Sequence, residues 1–295
     1  MREIMPTAWF SQQLSAFEVE FVRYLTAISA PDRLKEAMLY STLNGGKRLR
    51  ALLVIASGEL NDAPKAPLTA IAIAIEMIHA YSLIHDDLPA MDDDDYRRGK
   101  LTCHKAFDEA TAILAGDALL TQSFDCLSHI DGFSAEQLIQ LIQLISHASG
   151  SNGMVGGQIF DIEAEERTVS LVELERIHHN KTGALIKAAI LAGVIAGNGD
   201  NDAYQRLSIY ADNIGLAFQI KDDILDVTGT QEELGKKPGA DQLHEKSTYI
   251  SLLGLEASIE KLDQLIAEAI KQLEPFGTKA TPLIDLANYI QKRNH

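Results

Sequence analysis

The sequence contains little cysteine and little proline, and both shortages limit what the chain can be. Its two cysteines, Cys103 and Cys126, do not provide a disulfide framework, so a reducing, cytoplasmic location is expected. Only eight prolines occur in 295 residues, and no Ser/Gly-rich linker divides the chain. Together with a hydrophobic content of 46%, these features predict a single domain over residues 1–295 with a substantial buried core.

Basic residues are also scarce relative to acidic ones. Lys and Arg number 26 against 42 Asp and Glu, which gives a formal net charge of −16. This excess of negative charge disfavours nucleic acid and anionic membrane surfaces as partners. The opening residues, MREIMPTAWF, lack the apolar core of a signal peptide, and the apolar run Ile71–Ile84 is short and interrupted. No stable membrane insertion is therefore expected.

Aspartate, by contrast, is concentrated after a long apolar segment. Six aspartates lie within residues 79–99: Asp86, Asp87, Asp92, Asp93, Asp94 and Asp95. Like charges at such short spacing oppose ionisation, so a cation is expected among them. Oxygen ligands without cysteine favour Mg2+, and the adjacent Arg97 and Arg98 could hold a phosphate. The alternative interpretation is an exposed acidic loop at the end of a helix.

Pro89 predicts how the helix before this motif ends. Proline disfavours the helical conformation at the preceding residue, so the helix should end near Leu88. Asp86 and Asp87 would then occupy its last turn, and Asp92 would lie in a loop that folds back.

A second aspartate motif, QIKDDILDV, covers residues 219–227. Apolar residues occupy one face of the predicted helix, and a separate stripe at spacings of four, three and four contains Gly215, Gln219, Asp222 and Asp226. The alternative is an ordinary solvated face. Two aspartate-rich helices facing each other would form a site for a polyanion held by several Mg2+ ions.

This pair of motifs resembles the trans-isoprenyl diphosphate synthases, over nearly the whole chain. The first motif has the DDxxxxD form of bacterial short-chain members, and the second is DDxxD. Further matching segments are GGKRLR (45–50), His79, RRG (97–99), GGQIFD (156–161), KTG (181–183), FQIKDD (218–223) and GKKPGAD (235–241). The resemblance implies an all-α isoprenoid synthase helical bundle around a central cavity, assembled as a homodimer.

The remaining patterns also predict helices, and no segment has the two-residue alternation of a strand. Helices are expected over 9–28, from Pro31, over 102–127, 135–148, 171–195 and 248–272, and in a last segment ending near Arg293. Capping boxes are predicted at Ser134 with Gln137 and at Ser170 with Glu173. Loops are expected over 61–67 and 274–281. The four glycines of residues 150–157 predict close helix packing, since no nucleotide-binding loop pattern is present.

The resemblance assigns roles to individual residues. It implies that Mg2+, about three ions per site, is held by Asp86, Asp92 and Asp222, supported by Asp87, Asp223 and Asp226. Isopentenyl diphosphate would be bound by Lys47, Arg50, His79 and Arg98. The allylic diphosphate would be bound by Arg97, Lys181 and Lys236. The catalytic residues that stabilise its carbocation would be Lys181, Thr182 and Gln219.

The implied reaction is head-to-tail condensation of isopentenyl diphosphate with dimethylallyl or geranyl diphosphate. Tyr81 matches the aromatic pocket floor of bacterial farnesyl synthases, although helix geometry puts Ser82 more directly below Asp86. Farnesyl diphosphate is therefore the expected product, with geranyl or geranylgeranyl diphosphate as the second choice. A class I terpene cyclase would not need GGKRLR, His79 or RRG. A non-catalytic helical subunit usually lacks one aspartate motif.

Overall fold

The computed structural model describes residues 7–165, 167–229 and 247–293, and helices dominate all three segments. The prediction of an all-α fold is confirmed. The α-helices are α1 (Ala8–Ala27), α2 (Asp32–Thr42), α3 (Leu49–Leu60), α4 (Lys65–Asp86), α5 (Cys103–Ala106), α6 (Glu109–Ser128), α7 (Ala135–Ser149), α8 (Met154–Ala164), α9 (Leu171–His178), α10 (Ala184–Ala196), α11 (Asn201–Thr228), α12 (Tyr249–Leu253), α13 (Leu255–Leu273) and α14 (Thr281–Lys292).

Helix α4 forms the centre of the bundle because it is apolar on nearly every face. It packs most extensively against α6 and α3, and α3 in turn packs against the equally apolar α10. By length and composition alone α4 could cross a membrane, but 72% of its most apolar 18-residue window is buried inside the fold. That burial is typical of the core helix of a globular protein.

Local chemistry explains where several helices begin. Ser134 caps α7 and Gln137 returns the hydrogen bond, and Ser170 and Glu173 do the same for α9. Both predicted capping boxes are confirmed. Pro64 precedes α4 and Pro67 lies in its first turn, where a missing N–H has no helical partner to lose. The prediction of a loop over 61–67 is therefore wrong for residues 65–67, which belong to α4.

Three long predicted helices are interrupted. The segment predicted over 102–127 breaks at Phe107, and the Asp108 side chain caps a new helix by accepting a hydrogen bond from Thr111 N at 2.7 Å. The segment over 248–272 breaks at Gly254, whose φ of 84° favours glycine. The segment over 171–195 contains a π-helix, His179–Gly183. Residues 274–280, predicted as a loop, form a 3-10 helix around a kink at Gly277.

The prediction that the chain has no strand is wrong at one hairpin. Strands β1 (Tyr96–Arg97) and β2 (Lys100–Leu101) pair in antiparallel fashion. Arg98 and Gly99 both have positive φ, as a tight two-residue hairpin turn requires. This hairpin directs the chain back toward the aspartates at the end of α4.

Candidate active site

The first aspartate motif lies where α4 ends. The helix stops at Asp86, two residues before the predicted position, and Asp87 is its C-terminal cap. The chain then folds back, because Asp92 N donates a hydrogen bond to Asp86 O at 2.9 Å. The predicted helix end and returning loop are confirmed to within two residues.

Asp86 lies in an environment that disfavours its ionised form. Burial, together with the nearby charges of Asp92 and Asp87, raises the pKa of Asp86 to about 6, although Lys181 and Arg97 act to lower it. A desolvated carboxylate beside other carboxylates is stabilised when a cation joins them. The oxygen donors of this group suit Mg2+, which accepts a few carboxylates and completes its shell with water or phosphate oxygens.

Asp87, next to Asp86 in the motif, forms an ion pair with Arg97. Its side chain is only 4% exposed, and Oδ1 accepts from both Nε and Nη2 of Arg97, at 2.7 and 2.6 Å. Burial raises the pKa of Asp87 in spite of this ion pair. Arg97 also lies 3.5 Å from Asp94 Oδ2, so it partly neutralises the first motif from within the protein.

The segment 47–50, where the loop enters α3, contains three cations with separate roles. Arg48 has φ of 48° and points into the core, where Nη1 lies 3.4 Å from Glu76 Oε2 and Nη2 donates to Thr42 O at 2.6 Å. Glu76 also accepts from Ala51 N at 3.2 Å. Arg48 and Glu76 therefore hold the loop against α4. The sequence patterns did not identify this buried pair.

Arg50 and Arg98 form a positively charged region that also contains His79. Burial lowers the pKa of Arg50, while the carboxylates of Glu76 and Asp222 oppose the shift. Burial and the positive charges of Arg50 and Arg98 hold the pKa of His79 well below its ordinary value. Within the described residues, the buried Nε of Arg50 has no hydrogen-bond partner. Such a concentration of desolvated cations is suited to a polyanion.

Gly46 makes the position of Arg98 possible. Arg98 Nη1 donates to Gly45 O at 2.6 Å, and a Cβ on Gly46 would lie only 2.5 Å from the same nitrogen. Lys47 lies nearby in sequence and stacks over the ring of Tyr289 in α14, at 5.8 Å from its centroid. The glycines of GGKRLR thus allow the close approach of RRG.

Asp222 and Asp223 of the second motif have distinct partners. Asp222 Oδ1 lies 2.5 Å from Arg293 Nη2. Asp223 is buried and accepts a hydrogen bond from Tyr249 N at 2.7 Å, so it anchors α12 to α11. Asp226 is 4% exposed. Asp222, which the resemblance assigns to Mg2+, pairs with the guanidinium of Arg293 in this structure.

The π-helix brings the two motifs together. Lys181 Nζ donates to Asp161 Oδ2 at 2.6 Å; although burial lowers the pKa of Lys181, the charges of Asp161, Asp86 and Asp92 raise it. Thr182 Oγ1 donates to Gln219 Oε1 at 3.2 Å, and Gln219 Nε2 lies 3.4 Å from Asp222 Oδ2. Lys181 thus faces the first motif and Thr182 connects to the second.

Gly157 determines how closely α8 approaches this π-helix. A Cβ on Gly157 would lie 2.1 Å from Lys181 N, so no side chain fits there. Close packing by the glycines of 150–157 is therefore confirmed at this position, and it explains how Asp161 reaches Lys181.

Metal binding at these aspartates would require atoms from outside the protein. Across 7–165, 167–229 and 247–293, no group of three or more His, Cys, Asp or Glu side chains is arranged to hold a metal. Asp86, Asp92 and Asp222 therefore do not form one ready-made centre. Lys236 and the GKKPGAD segment lie outside the described residues.

A separate cavity of about 1260 Å³ opens among α1, α3, α4 and α6, and none of the predicted site residues that the structure describes lines it. Its wall includes Ile73 of α4, about 12 Å along the helix from Tyr81.

Tyr81 lies between Ile73 and Asp86 in α4, is 5% exposed, and packs edge-on against His85 with ring centroids 5.7 Å apart. His85 is wedged against α6 at Gly116, where a Cβ would lie 2.1 Å from its Nε2.

Comparison with known proteins places this geometry in context. Residues 31–279 match the model of the polyprenyl synthetase family. The chain is 53% identical over 268 residues to farnesyl diphosphate synthase of Micrococcus luteus, covering 90% of this chain and 91% of that protein. It is 49% identical over 296 residues to farnesyl diphosphate synthase of Escherichia coli (strain K12), covering 97% and 99%. Among solved structures, an FPP/GFPP synthase from Zymomonas mobilis matches with a TM-score of 0.85 and 42% identity, covering 96% and 97%.

Proposed function

Since the chain belongs to the polyprenyl synthetase family, we propose that it is a prenyltransferase that condenses isopentenyl diphosphate with dimethylallyl or geranyl diphosphate to give farnesyl diphosphate. One observation carries the proposal: an acidic region with a half-buried lysine adjoins a region of desolvated arginines. The negative charges of Asp86 and Asp92 act to raise the pKa of Lys181, and the negative charge of Asp222 acts to raise the pKa of Arg50. A reaction between two diphosphates, one of which must ionise, needs both regions.

Mg2+ is the cofactor proposed, with about three ions held by Asp86, Asp92 and Asp222 together with substrate oxygens. When bound, the ions would neutralise the diphosphate that leaves the allylic substrate. The donor set supports this choice, because it offers only carboxylate oxygens and Asp86 is desolvated beside Asp92. We further propose Lys236, outside the described residues, as an additional diphosphate ligand.

Different side chains of the protein would bind the two substrates. Arg97 and Lys181 would bind the allylic diphosphate and offset its charge as the carbon–oxygen bond breaks. The oxygens of Thr182 and Gln219 would stabilise the allylic cation by their dipoles. Lys47, Arg50, Arg98 and His79 would hold isopentenyl diphosphate so that its double bond attacks that cation.

The last step removes a proton from the new carbon skeleton. His79 is a poor base there, because burial and surrounding arginines depress its pKa far below neutrality. The departed diphosphate, which is basic and adjacent, is the proposed acceptor. Proton loss then forms the new double bond and leaves inorganic diphosphate.

Product assay tests this function directly. The protein is incubated with Mg2+, labelled isopentenyl diphosphate and each allylic diphosphate in turn, and the products are separated by chromatography. The proposal requires a fifteen-carbon product from both dimethylallyl and geranyl diphosphate. Consumption of an allylic diphosphate without isopentenyl diphosphate would instead indicate a terpene cyclase, and no turnover would indicate a non-catalytic subunit.

We also propose that the enzyme is a cytoplasmic homodimer formed by a single domain over residues 1–295. Exposed apolar residues at helical spacing on α8 support an interface: Val155, Ile159 and Ile162 are 46%, 51% and 40% exposed. Light scattering should give twice the mass of one chain. Ile159→Glu should shift that mass toward the monomer, whereas Ile209→Glu on α11, at a site 43% exposed, should not. A dimer unchanged by Ile159→Glu would exclude this stripe as the interface.

A further inference from the structure

Thr102 is a buried threonine that joins the hairpin to the acidic loop, residues 88–95, and the proposed reaction does not use it directly. It is 2% exposed and occupies the N-cap position of α5. A threonine at that position commonly accepts a hydrogen bond from a backbone N–H of the new helix, but this side chain makes no such bond. Its hydroxyl is directed to the acidic loop instead, where Oγ1 donates to Asp94 O at 2.7 Å and lies 3.4 Å from Asp95 O.

The acidic loop is held at its start by the end of α4. Asp92 N donates to Asp86 O at 2.9 Å, and Asp93 N donates to Leu88 O at 3.1 Å. Asp93 has φ of 49°, a left-handed conformation that residues other than glycine seldom adopt, so the loop needs support from both ends to keep it. The bonds to α4 supply that support at one end only.

Thr102 holds the other end of the acidic loop. Its backbone N–H donates to Asp95 O at 3.0 Å, and its hydroxyl donates to Asp94 O. The side chains of Asp94 and Asp95 also pair with cations, but both carboxylates are more than half exposed, where ion pairs contribute little. The bond from the buried hydroxyl is therefore well placed to fix the backbone at this end.

His104 sets the direction of the Thr102 hydroxyl. This histidine is buried, and its Nδ1 lies 3.2 Å from Thr102 Oγ1. The hydroxyl has a single proton, which goes to Asp94 O, so Nδ1 donates and Oγ1 accepts. A chain of hydrogen bonds thus runs from His104 through Thr102 to the acidic loop, and it keeps the hydroxyl from rotating away.

We propose that Thr102 is a positioning residue whose hydroxyl presets the backbone of the acidic loop, so that Asp92 stays beside Asp86 before Mg2+ binds. This inference rests on the proposed metal-assisted prenyl transfer. Two carboxylates repel each other at short range, so a loop without this anchor would favour conformations that separate them. A loop already in place binds the cation without first losing conformational freedom.

Hydrogen exchange in the metal-free protein tests the anchoring itself. Thr102→Val removes the hydroxyl with little change in shape, and the amides of residues 88–95 should exchange roughly 2–10-fold faster, the factor expected for loss of one hydrogen bond. Thr102→Ser keeps the hydroxyl and should exchange like the wild type. Thr42→Val is the matched control, because Thr42 is as buried as Thr102 but its hydroxyl donates within α2, to Met38 O at 2.6 Å.

Calorimetric titration with Mg2+ tests the consequence for the metal. With inorganic diphosphate present as the probe, Thr102→Val should bind Mg2+ roughly 2–10-fold more weakly, whereas Thr102→Ser and Thr42→Val should bind it like the wild type. In turnover, Thr102→Val should need more Mg2+ for half-maximal rate, with kcat at saturating Mg2+ and KM for isopentenyl diphosphate unchanged. A general loosening of the fold would not produce that separation.

Unchanged exchange and Mg2+ affinity in Thr102→Val, or equal changes in Thr42→Val, would overturn the proposal. If thermal unfolding shows that Thr102→Val does not fold, Thr102→Ala removes the same hydroxyl from a smaller side chain and is judged by the same two measurements. Failure of the wild type to condense prenyl diphosphates would instead reject the proposed function. The exchange and titration measurements need no turnover, so they decide the role of Thr102 in either case.

Discussion

Arg293 forms an ion pair with Asp222, and its Nη2 lies 2.5 Å from Oδ1 of that carboxylate. The guanidinium also donates to Phe218 O at 3.1 Å and stacks over the Phe218 ring at 4.2 Å from the centroid. Its side chain is only 4% exposed. The C-terminal end of α14 thus supplies a positive charge at the aspartate proposed to bind Mg2+.

Replacement of Arg293 by glutamine should strengthen Mg2+ binding in the absence of substrate. The guanidinium and the metal compete for the same carboxylate, so removing one favours the other. Isothermal titration with Mg2+ should give an affinity several-fold higher, the direction expected when a charge partner is removed. Lys292→Gln is the control, because Lys292 is exposed. Equal Mg2+ affinity in both variants would show that Arg293 does not compete with the metal.

Asp86→Asn should abolish turnover while stabilising the metal-free protein. Loss of one group that stabilises developing charge typically lowers the rate roughly 10²–10³-fold. The pKa of Asp86 is raised from 3.8 to about 6, so the folded state binds this proton more tightly than the unfolded state. Ionised Asp86 therefore destabilises the fold at higher pH.

The stability change has a defined pH window. As pH rises from about 4 through 6, the free energy of unfolding of the wild type should fall by about 1–2 kcal/mol through Asp86, after allowance for solvent screening. Asp86→Asn should lack that fall and unfold at a higher temperature at pH 7. Urea unfolding at several pH values, without metal, measures the free energy of unfolding of both proteins, and thermal unfolding at pH 7 measures the difference in temperature. If the free energy of unfolding changed in parallel with pH in the wild type and in Asp86→Asn, the assigned environment of Asp86 would be wrong.

Arg48 and Arg50 should respond differently to the same substitution. Arg48→Ala leaves the buried Glu76 without an ion-pair partner within 4 Å among the described residues, although the charges of Arg50 and Arg98 still act on it, so we expect a loss of up to about 3–5 kcal/mol. Arg50→Ala should leave the fold largely intact and chiefly raise KM for isopentenyl diphosphate. Thermal unfolding and steady-state kinetics on both variants separate the two roles. A raised KM for the allylic substrate alone, in Arg50→Ala, would reverse the assignment of subsites.

Tyr81→Ala should lengthen the product. Along α4, Tyr81 lies between Asp86 and Ile73, which borders the cavity, and each CH2 of a growing chain gains about 0.8 kcal/mol when it enters apolar surroundings. Chromatography should then show products of twenty carbons or more. Ser82→Ala is the control: this side chain also lies below Asp86, but the substitution removes only a hydroxyl, which among the described residues bonds to His79 O in its own helix at 2.9 Å.

A different result would remove Tyr81 from its proposed role. If the variant were less stable and still made only the fifteen-carbon product, Tyr81 would be an ordinary core residue whose neighbours collapse on truncation.

Features decided by neighbouring residues were predictable from the sequence. The capping boxes at Ser134 and Ser170 and the helix end before Pro89 each depend on residues within a few positions. The breaks at Phe107 and Gly254 were missed because the apolar spacing continues across them. The π-helix was also missed, since it adjoins the close contact of Gly157 with Lys181, which are distant in sequence.

The sequence by itself determined the chemistry of the site: two aspartate motifs at defined spacing, a glycine-rich cationic loop and a KTG segment, with helices to hold them. Only the tertiary structure decided which neighbours serve the site and which serve the fold. Arg48 pairs with Glu76, 28 residues away, and Asp223 with Tyr249, 26 residues away, whereas Arg50 and Asp222 lie in the regions proposed to bind isopentenyl diphosphate and Mg2+. The reason is physical: neighbouring side chains on a helix point about 100° apart, and distant residues determine which direction is buried.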